Sequence, residues 1–504
     1  MLRYHMCSPV GTATLIHGPL ARKIRAARIP GAVLAFMLAG LPLNAQTTPT
    51  ERAAAQPVLA EIERLQARLQ PTRTAETMVA RKDAARDRVL ARVEEIWRGD
   101  MIRLSDWMGR NPEVGWKEYK AVDTLSKVLR FHGFDVKTGS AGLETAFVAS
   151  WDSPAGVNGP TLGVIVEYDA LRSTTQPFHG CQHNAQSPVG FSAAFAIAEL
   201  MKERRIPGRI RIYGTPAEEV GPPAKEIMWR AGVFKEAEIL VRSHGTDQTA
   251  RSRPGFGVCC LNIDEVKYVF KGKSAHQRSS WDGRNALSAA VHFYSLVDAM
   301  RPSFRPEASI QGVIPEGGVA PNVVPDRAVV DYYIRYPDEV YLQHIVHHMA
   351  NAAKGAALAT GTEVEIQTYG RYRDGITLGT LEELVFAFAK SMNAPRLEAE
   401  PQRPDGYEET GFVSRDIPGV GVGVFTSPAP GHSLPRFEDS LKEVGHTGFL
   451  FDARIMAGVM YHFLTDAKYR DAVKEEHRSM AGLFDQYLAG LRKAYSNEVT
   501  VSSK

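Results

Sequence analysis

The most constraining feature of this sequence is a series of short apolar strands that alternate with helical segments. The run 161–167 is apolar along almost its whole length and is bounded by turn residues, as are the runs 209–214 and 238–242. A strand without polar alternation buries both of its faces. Helical patterns at 192–203 and 224–231 separate the three strands. The alternation predicts an α/β fold whose open, mostly parallel sheet carries helices on both faces.

The pattern changes over residues 263–372. Strands with polar alternation appear there together with two long helical patterns, 286–300 and 342–358. This order of elements predicts a smaller α+β lid domain that is inserted into the larger one. An apolar strand pattern returns at 419–425, and helical patterns follow it to residue 495.

A chain of 504 residues is expected to form two or three domains, at about 150 residues for each. The predicted boundaries are 1–45 for a signal peptide, 46–85 for a tether with some helix, 86–262 for the first part of a catalytic domain, 263–372 for the inserted lid and dimerisation domain, 373–495 for the second part of the catalytic domain, and 496–504 for a tail.

Residues 1–45 have the composition of a secretory signal peptide. A basic region ends at Arg28, residues 29–43 are almost wholly apolar, and Ala45 offers a small residue before a cleavage point. The apolar run of roughly fifteen residues is shorter than the ~20 that a membrane-spanning helix needs. An uncleaved membrane anchor is the alternative. We therefore expect an exported, periplasmic protein that has no membrane association once the leader is removed.

The formal net charge of +3 comes from this leader, which holds five of the 60 basic residues and no acidic residue. The rest of the chain is nearly neutral, so nucleic acid is not an expected partner. Outside the leader the cysteines are Cys181, Cys259 and Cys260. An odd number with two adjacent members is not a disulfide framework. The role of a lone thiol in an oxidising compartment therefore depends on the residues around it, for example on whether they bind a metal ion together with its thiolate.

Four short loops carry side chains suited to metal binding or proton transfer, and each follows a predicted strand. They contain Cys181 and His183, the adjacent pair Glu218 and Glu219, His244, and His432. Ligand sites in open α/β sheets gather outside the carboxyl ends of the strands, so we expect these loops to meet. In an extended chain residues i and i+2 project to one side, which would let Cys181 and His183 share an ion. Thiolate and imidazole suit zinc and other borderline-soft ions.

Taken one at a time, these motifs have ordinary explanations. A Cys-x-His pair occurs by chance, two adjacent glutamates form solvated acidic turns, and a histidine beyond a strand is often an exposed loop residue. A buried pair of carboxylates, however, requires a cation. Because adjacent side chains point in different directions, one glutamate can ligate while its neighbour handles the proton of a water molecule.

Together the motifs resemble the co-catalytic dinuclear metallopeptidases and amidohydrolases, which include aminoacylases, glutamate carboxypeptidases and aminobenzoyl-glutamate hydrolases. The resemblance extends from about residue 90 to residue 466. It is also carried by the segments 111–118, 167–171, 272–276 and 318–326. The Cys-x-His motif is similar to the amidohydrolase branch, and Glu-Tyr-Asp-Ala-Leu at 167–171 is similar to the aminobenzoyl-glutamate type. Gln182 and Asn184 depart from the glycine and aspartate that are more usual there.

The resemblance implies a set of functional residues and partners. Two divalent metal ions would be bound by Cys181, His183, Glu219, His244 and His432, and Glu218 would be the general base. Zinc is the expected metal, with manganese and cobalt as alternatives. Substrate would be bound by His276, Asn322 and Arg335 of the lid, where a guanidinium matches a carboxylate. His276 would reach across the interface of a homodimer that forms through the lid domain.

The expected activity is hydrolysis of the amide bond of N-acyl or N-aroyl amino acids, which are small molecules that carry a carboxylate. One alternative is a dipeptidase or carboxypeptidase on the same scaffold. Another is an exported metal-binding or ligand-binding protein without catalysis, although the intact pair Glu218 and Glu219 argues against it. A cysteine hydrolase that uses Cys181 and His183 is the third, and it predicts sensitivity to thiol alkylation but not to chelators.

Overall fold

The computed structural model describes residues 48–258 and 261–496, which lie in one compact unit. The predicted signal peptide, Cys259, Cys260 and nearly all of the predicted tail fall outside the described residues. Within the described ranges, none of the helices combines the length and the apolar character that crossing a membrane requires.

The described elements comprise the following strands and helices. The strands are β1 (Asp135–Thr138), β2 (Phe147–Asp152), β3 (Thr161–Val166), β4 (Arg209–Gly214), β5 (Ile239–Ser243), β6 (Gly255–Gly257), β7 (Asn262–Lys271), β8 (Ser309–Glu316), β9 (Arg327–Tyr336), β10 (Glu363–Tyr372), β11 (Gly375–Thr377) and β12 (Gly419–Val422). The α-helices are α1 (Pro49–Leu69), α2 (Pro71–Ala80), α3 (Ala84–Ile96), α4 (Ile102–Arg110), α5 (Tyr119–Phe131), α6 (His183–Arg204), α7 (Ala224–Arg230), α8 (Ala286–Met300), α9 (Glu339–Thr360), α10 (Gly379–Ser391), α11 (Phe412–Asp416), α12 (Leu434–Ser440), α13 (Glu443–Thr465) and α14 (Ala467–Ala494).

A six-stranded sheet forms the centre of the larger part of the fold, in the order β1-β2-β4-β3-β5-β12. Strands β4, β3, β5 and β12 are parallel, and β1 and β2 are antiparallel at one edge. Val166 pairs with Gly214, and Ser243 pairs with Val422. The carboxyl ends of all four parallel strands therefore lie along one edge of the sheet. The mostly parallel α/β fold that the sequence predicts is confirmed.

Both faces of this sheet are buried, which explains the continuous apolar runs in its strands. All six residues of β3 are buried. Val164 and Val166 belong to a large apolar cluster that also contains residues of α6 and α13. Ile165, which points the other way, belongs to a second cluster that contains Met228 of α7.

A second, four-stranded sheet has the order β10-β7-β9-β8 and is antiparallel throughout. Helices α8 and α9 pack against it. Tyr268 of β7 and Tyr332 of β9 are fully buried, and in β9 Tyr332 lies between the more exposed Asp331 and Tyr333. The smaller α+β unit expected from the sequence is therefore present, and it is built from one continuous insertion.

The segment expected to be a tether is instead a pair of packed helices. Helix α1 packs against α14, and α2 packs against α10. Val58, Ile62 and Leu65 of α1 are buried. Their spacing of four and then three residues places them on one helical face, and this signal is obscured in the sequence by the many charged and alanine residues between them.

Candidate metal centre

The structure brings together all six residues that the sequence places in the metal site. Their donor atoms form three overlapping groups, and within each group the atoms lie within 4.8 Å of one another. The groups are Cys181 with His183 and His244, Cys181 with Glu219 and His432, and His183 with Glu218 and Glu219. The cluster sits at the carboxyl edge of the central sheet, where the register of the parallel strands places the loops that follow them.

Cys181 and His183 reach this cluster by a different backbone conformation from the one expected. The sequence suggests an extended chain there, but His183 is the first residue of α6 and Gln182 adopts the left-handed conformation with φ 63°. The helix begins nine residues before the predicted start at Ser192. Its first turns are fully buried although they contain polar residues, so an apolar pattern could not reveal them.

Asp169 orients two of the candidate ligands. The Nδ1–H of His183 donates to Asp169 Oδ1 at 3.0 Å, and the backbone N–H of Glu219 donates to Asp169 Oδ2 at 2.9 Å. The first bond leaves the lone pair of His183 Nε2 for a metal ion, as is usual for ligating histidines. The sequence analysis includes Asp169 only as part of the Glu-Tyr-Asp-Ala-Leu motif at 167–171 and missed this role.

His244 and His432 are held by their backbone surroundings. His244 directly follows β5, its N–H donates to Val422 O at 3.0 Å, and its Nδ1 lies 3.0 Å from Gly245 O. His432 is exposed and its Nε2 lies 3.7 Å from Glu219 Oε2. A Cβ atom on Gly180 would lie 2.9 Å from the Cα of His432. Glycine at position 180 therefore lets the His432 loop approach Cys181.

The electrostatics of the cluster reflect too many buried carboxylates for the cations present. Burial, and then Glu409 and Glu167, raise the pKa of Glu218 well above its ordinary value. Burial also raises the pKa of Glu219. Burial by itself would lower the pKa of His183, but its hydrogen bond to Asp169 and the nearby carboxylates raise it to about 10. Added positive charge would relieve this imbalance.

A second observation also indicates that these residues fit a bound divalent cation. His183 Nε2 and Glu219 Oε1 are buried and have no hydrogen-bond partner. A buried polar atom without a partner costs free energy unless a ligand completes it. Both atoms belong to the donor groups described above, and the set offers sulfur, nitrogen and oxygen. Zinc, manganese and cobalt all accept such mixed ligands.

A buried ion-pair network lies next to the cluster, and sequence reasoning missed it. Lys225 Nζ of α7 contacts Glu167 and lies 2.6 Å from Glu409 Oε2. Arg242 Nη1 lies 2.7 Å from Glu167 Oε1 and 3.4 Å from Glu409 Oε2. Burial alone would raise the pKa of Glu167, but Lys225 and then Arg242 hold it well below its ordinary value. Apart from Glu167, which begins the motif at 167–171, no local motif marks these residues, because their partners come from distant parts of the chain.

A cavity of about 290 Å³ opens beside Glu218 and His244. It extends along the carboxyl ends of β5 and β12 to Ser252, Glu382 and Asp405. Its size is near the lower end of the range for small-molecule sites.

The three lid residues expected to bind substrate are not part of the cluster or of this cavity within the described chain. His276 and Asn322 are both exposed and adjacent, since Gln277 N donates to Asn322 O at 3.0 Å. Arg335 is half-buried on β9, beside Glu265. Their roles toward a substrate stay predictions.

Comparison with known proteins places the chain. A model of the peptidase dimerisation domain matches residues 260–360. The chain is 29% identical over 326 residues to the Xaa-Arg dipeptidase of Mus musculus, covering 61% of this chain and 72% of that protein. It is 29% identical over 313 residues to a p-aminobenzoyl-glutamate hydrolase of Escherichia coli (strain K12), covering 59% of this chain and 63% of that protein. The crystal structure of the aminobenzoyl-glutamate utilization protein from Klebsiella pneumoniae shares the fold, with a TM-score of 0.55 at 17% identity over 74% of this chain and 99% of that chain.

The chain is similar to dinuclear metallopeptidases and amidohydrolases, both in its dimerisation domain and in these relatives. It is therefore a hydrolase. The resemblance to the aminobenzoyl-glutamate hydrolase type, expected from the motifs at 167–171 and 181–183, is confirmed. The matched dimerisation domain covers the four-stranded unit that carries α8 and α9, except for its last strand β10.

Proposed function

We propose that this hydrolase cleaves the amide bond of N-acyl or N-aroyl amino acids with the help of two divalent metal ions. The ligands would be Cys181, His183, Glu219, His244 and His432. The observation that carries the proposal is the convergence of these side chains, from four separate loops, around His183 Nε2 and Glu219 Oε1, two buried atoms that form no hydrogen bond with the described residues. Relatives that act on aminobenzoyl-glutamate and on Xaa-Arg dipeptides support amide hydrolysis as the reaction class.

The chain's own residues account for the proton movements of such a reaction. When bound, divalent cations lower the pKa of a water molecule and polarise the scissile carbonyl. Glu218 accepts the proton of the attacking water on its carboxylate and returns it to the leaving amine nitrogen. Asp169 keeps His183 in the tautomer whose Nε2 is a ligand.

The finer features of the proposal concern the metal, the assembly and the compartment. Zinc is the proposed metal because a thiolate and imidazoles are present, with manganese and cobalt as alternatives. A homodimer through residues 263–372 is proposed from the match to a dimerisation domain. Export to the periplasm is proposed from the composition of residues 1–45.

The decisive experiment combines elemental analysis with chelation. Purified protein should contain about two divalent ions per chain, as two-metal hydrolases do. Hydrolysis of a panel of N-acyl amino acids should stop after treatment with a chelator and return when metal is restored. Full activity of protein that contains no metal, together with inactivation by iodoacetamide, would instead identify a cysteine hydrolase built on Cys181.

The same panel distinguishes the proposed N-acyl amino-acid hydrolase from a dipeptidase. Dipeptides are tested beside N-acetyl and N-benzoyl amino acids at equal concentrations. A kcat/KM that is higher for the N-acyl compounds supports the amidohydrolase assignment. A preference for dipeptides would assign the chain as a dipeptidase with the same metal chemistry.

A further inference from the structure

The cavity beside Glu218 and His244 has a strongly acidic lining. Six of its lining residues are carboxylates, namely Glu218, Asp247, Glu382, Asp405, Glu408 and Glu409, whereas its cationic residues are Arg242 and Arg251. Because the proposed general base Glu218 and the proposed ligand His244 both line this cavity, a group of the substrate next to the scissile bond can enter it. The character of the lining therefore bears on which substrates bind.

The two arginines of the lining are already committed to carboxylates. Arg242 Nη1 lies 2.7 Å from Glu167 Oε1, on the side of the ion-pair network. Arg251 Nε donates to Glu383 Oε1 at 2.8 Å, and its guanidinium lies 4.0 Å from the centre of the Phe386 ring. Neither Glu167 nor Glu383 lines the cavity. Arg242 also lies 3.4 Å from Glu409 Oε2 in the lining, but two arginines cannot balance six carboxyl groups.

Two of the carboxylates in the lining are bridged by Ser252. Its N–H donates to Glu382 Oε2 at 2.9 Å, and its hydroxyl donates to Asp405 Oδ1 at 3.0 Å. Among the described residues, neither carboxylate forms an ion pair. Glu382 is only 7% exposed, and its Oε1 accepts no hydrogen bond from the described part of the chain. Oε1 of this largely buried residue thus remains available at the wall of the cavity.

This arrangement raises the pKa of both carboxyl groups. Burial and the proximity of Asp405 raise the pKa of Glu382 to about 8, and burial raises the pKa of Asp405 to about 6. A cation placed in the cavity would favour the charged form of both groups. The two carboxyl groups on the cavity wall therefore lack a cation that would stabilise their charged forms.

From these observations we infer that the cavity is a subsite for a positively charged group of the substrate, a guanidinium or ammonium on the side chain of a basic amino acid. The inference rests on the proposed function, because it concerns the substrate of the same site. Glu382 and Asp405 are the residues that determine this specificity. A bound cation would stabilise the charged forms of these two carboxyl groups, which a neutral group of the same shape cannot do.

The test uses two substrates that differ in charge but not in shape. N-acetyl-L-arginine and N-acetyl-L-citrulline are compared with the metal-loaded full chain, and glycyl-L-arginine and glycyl-L-citrulline are run in parallel. We expect kcat/KM to favour the arginine member of each pair by roughly ten- to hundredfold, the value of a charge-assisted hydrogen bond in a buried site. Glu382→Gln and Asp405→Asn should each bring this ratio toward one, mainly through a higher KM for the arginine substrate. Glu400→Gln, an exposed carboxylate of the preceding loop, is the matched control and should keep the ratio.

The outcomes separate the subsite from the proposed function. Hydrolysis of both substrates with a ratio near one in the wild-type protein overturns the subsite and leaves the amide hydrolase intact. A high ratio that survives in both variants also overturns it, because the cation then binds elsewhere. No hydrolysis of any of the four compounds by metal-loaded protein rejects the proposed function and the subsite together. Since the wild-type ratio is decisive without any variant, misfolding of either variant does not protect the inference.

Discussion

Replacing Lys225 by methionine should destabilise this protein more than any exposed lysine replacement. The Lys225 side chain is 1% exposed and its ammonium bridges two carboxylates that are themselves almost completely buried, those of Glu167 and Glu409. Methionine preserves most of the side-chain volume. It removes the charge, so two carboxylates are left facing each other with one cation fewer.

The magnitude follows from what remains in the network. Removing one partner of a buried ion pair costs about 3–5 kcal/mol, because the other charge is left uncompensated. Arg242 still lies 2.7 Å from Glu167 and 3.4 Å from Glu409. We therefore expect the free energy of unfolding to fall by about 3 kcal/mol, at the lower end of that range.

The loss should also depend on pH, with a sign that the structure fixes. The cations hold the pKa of Glu167 well below its ordinary value. A depressed carboxyl pKa contributes stability above the unfolded-state pKa of about 4.3, and this contribution disappears as the pH falls through the folded-state pKa. The difference between wild type and Lys225→Met should therefore be greatest at neutral pH and shrink in acid.

Urea denaturation at several pH values provides the assay, with an unchanged m-value as the condition for comparing the two proteins. The exposed Lys235→Met on the following loop is the matched control and should change the free energy of unfolding by less than about 0.5 kcal/mol. The double variant Lys225→Met with Glu409→Leu should recover part of the loss, because both partners of one pair are then apolar. A loss below about 1 kcal/mol at neutral pH would refute the reasoning.

Three further predictions concern the site and the core. Glu218→Gln should lower kcat by at least about a hundredfold, the usual contribution of a general base, while elemental analysis finds the metal still bound; loss of metal with loss of activity would contradict this. Asp169→Asn should weaken metal affinity by about ten- to a hundredfold, since it can no longer accept from both His183 and Glu219, and a competition titration with a chromogenic chelator would expose an unchanged affinity. His462 is fully buried and forms no hydrogen bond with the described residues, and burial, with Arg86, lowers its pKa to about 4. The free energy of unfolding of the wild type should therefore decline relative to that of His462→Leu by about 3 kcal/mol as the pH falls from about 6.5 to 4. An equal pH dependence of the two unfolding free energies would contradict this prediction.

Much of the fold could be predicted because burial on both faces leaves a pattern in a strand. Val164, Ile165 and Val166 are apolar whichever way they point, so β3 could be located from a few consecutive letters. The start of α6 could not be located this way. His183, Asn184 and Gln186 are buried polar residues whose environment is set by the metal cluster and by neighbouring strands. A polar residue in the sequence gives no sign that it will be buried.

The packing of the helices at 49–80 could not be predicted from the sequence for a different reason. Val58, Ile62 and Leu65 form an apolar stripe, but a stripe of this width among charged residues is marginal for an isolated helix. Helix α1 is stabilised by α14, which comes from the far end of the chain. For example, Gln66 Nε2 donates to Glu476 Oε1 at 2.6 Å, although the two residues are 410 positions apart. Contact with α14 is what makes this segment part of the packed fold and not a tether.

The sequence by itself determined which side chains are candidates for the site. The residue types at 181, 183, 218, 219, 244 and 432, each placed after a strand, favoured metal-assisted hydrolysis, because donor identity and strand order are local properties. Only the tertiary structure decided how the charges are paired. Lys225 and Glu409 are 184 residues apart, and Glu382 meets Asp405 only through Ser252. Electrostatic energy depends on distance and burial, and packing alone sets both.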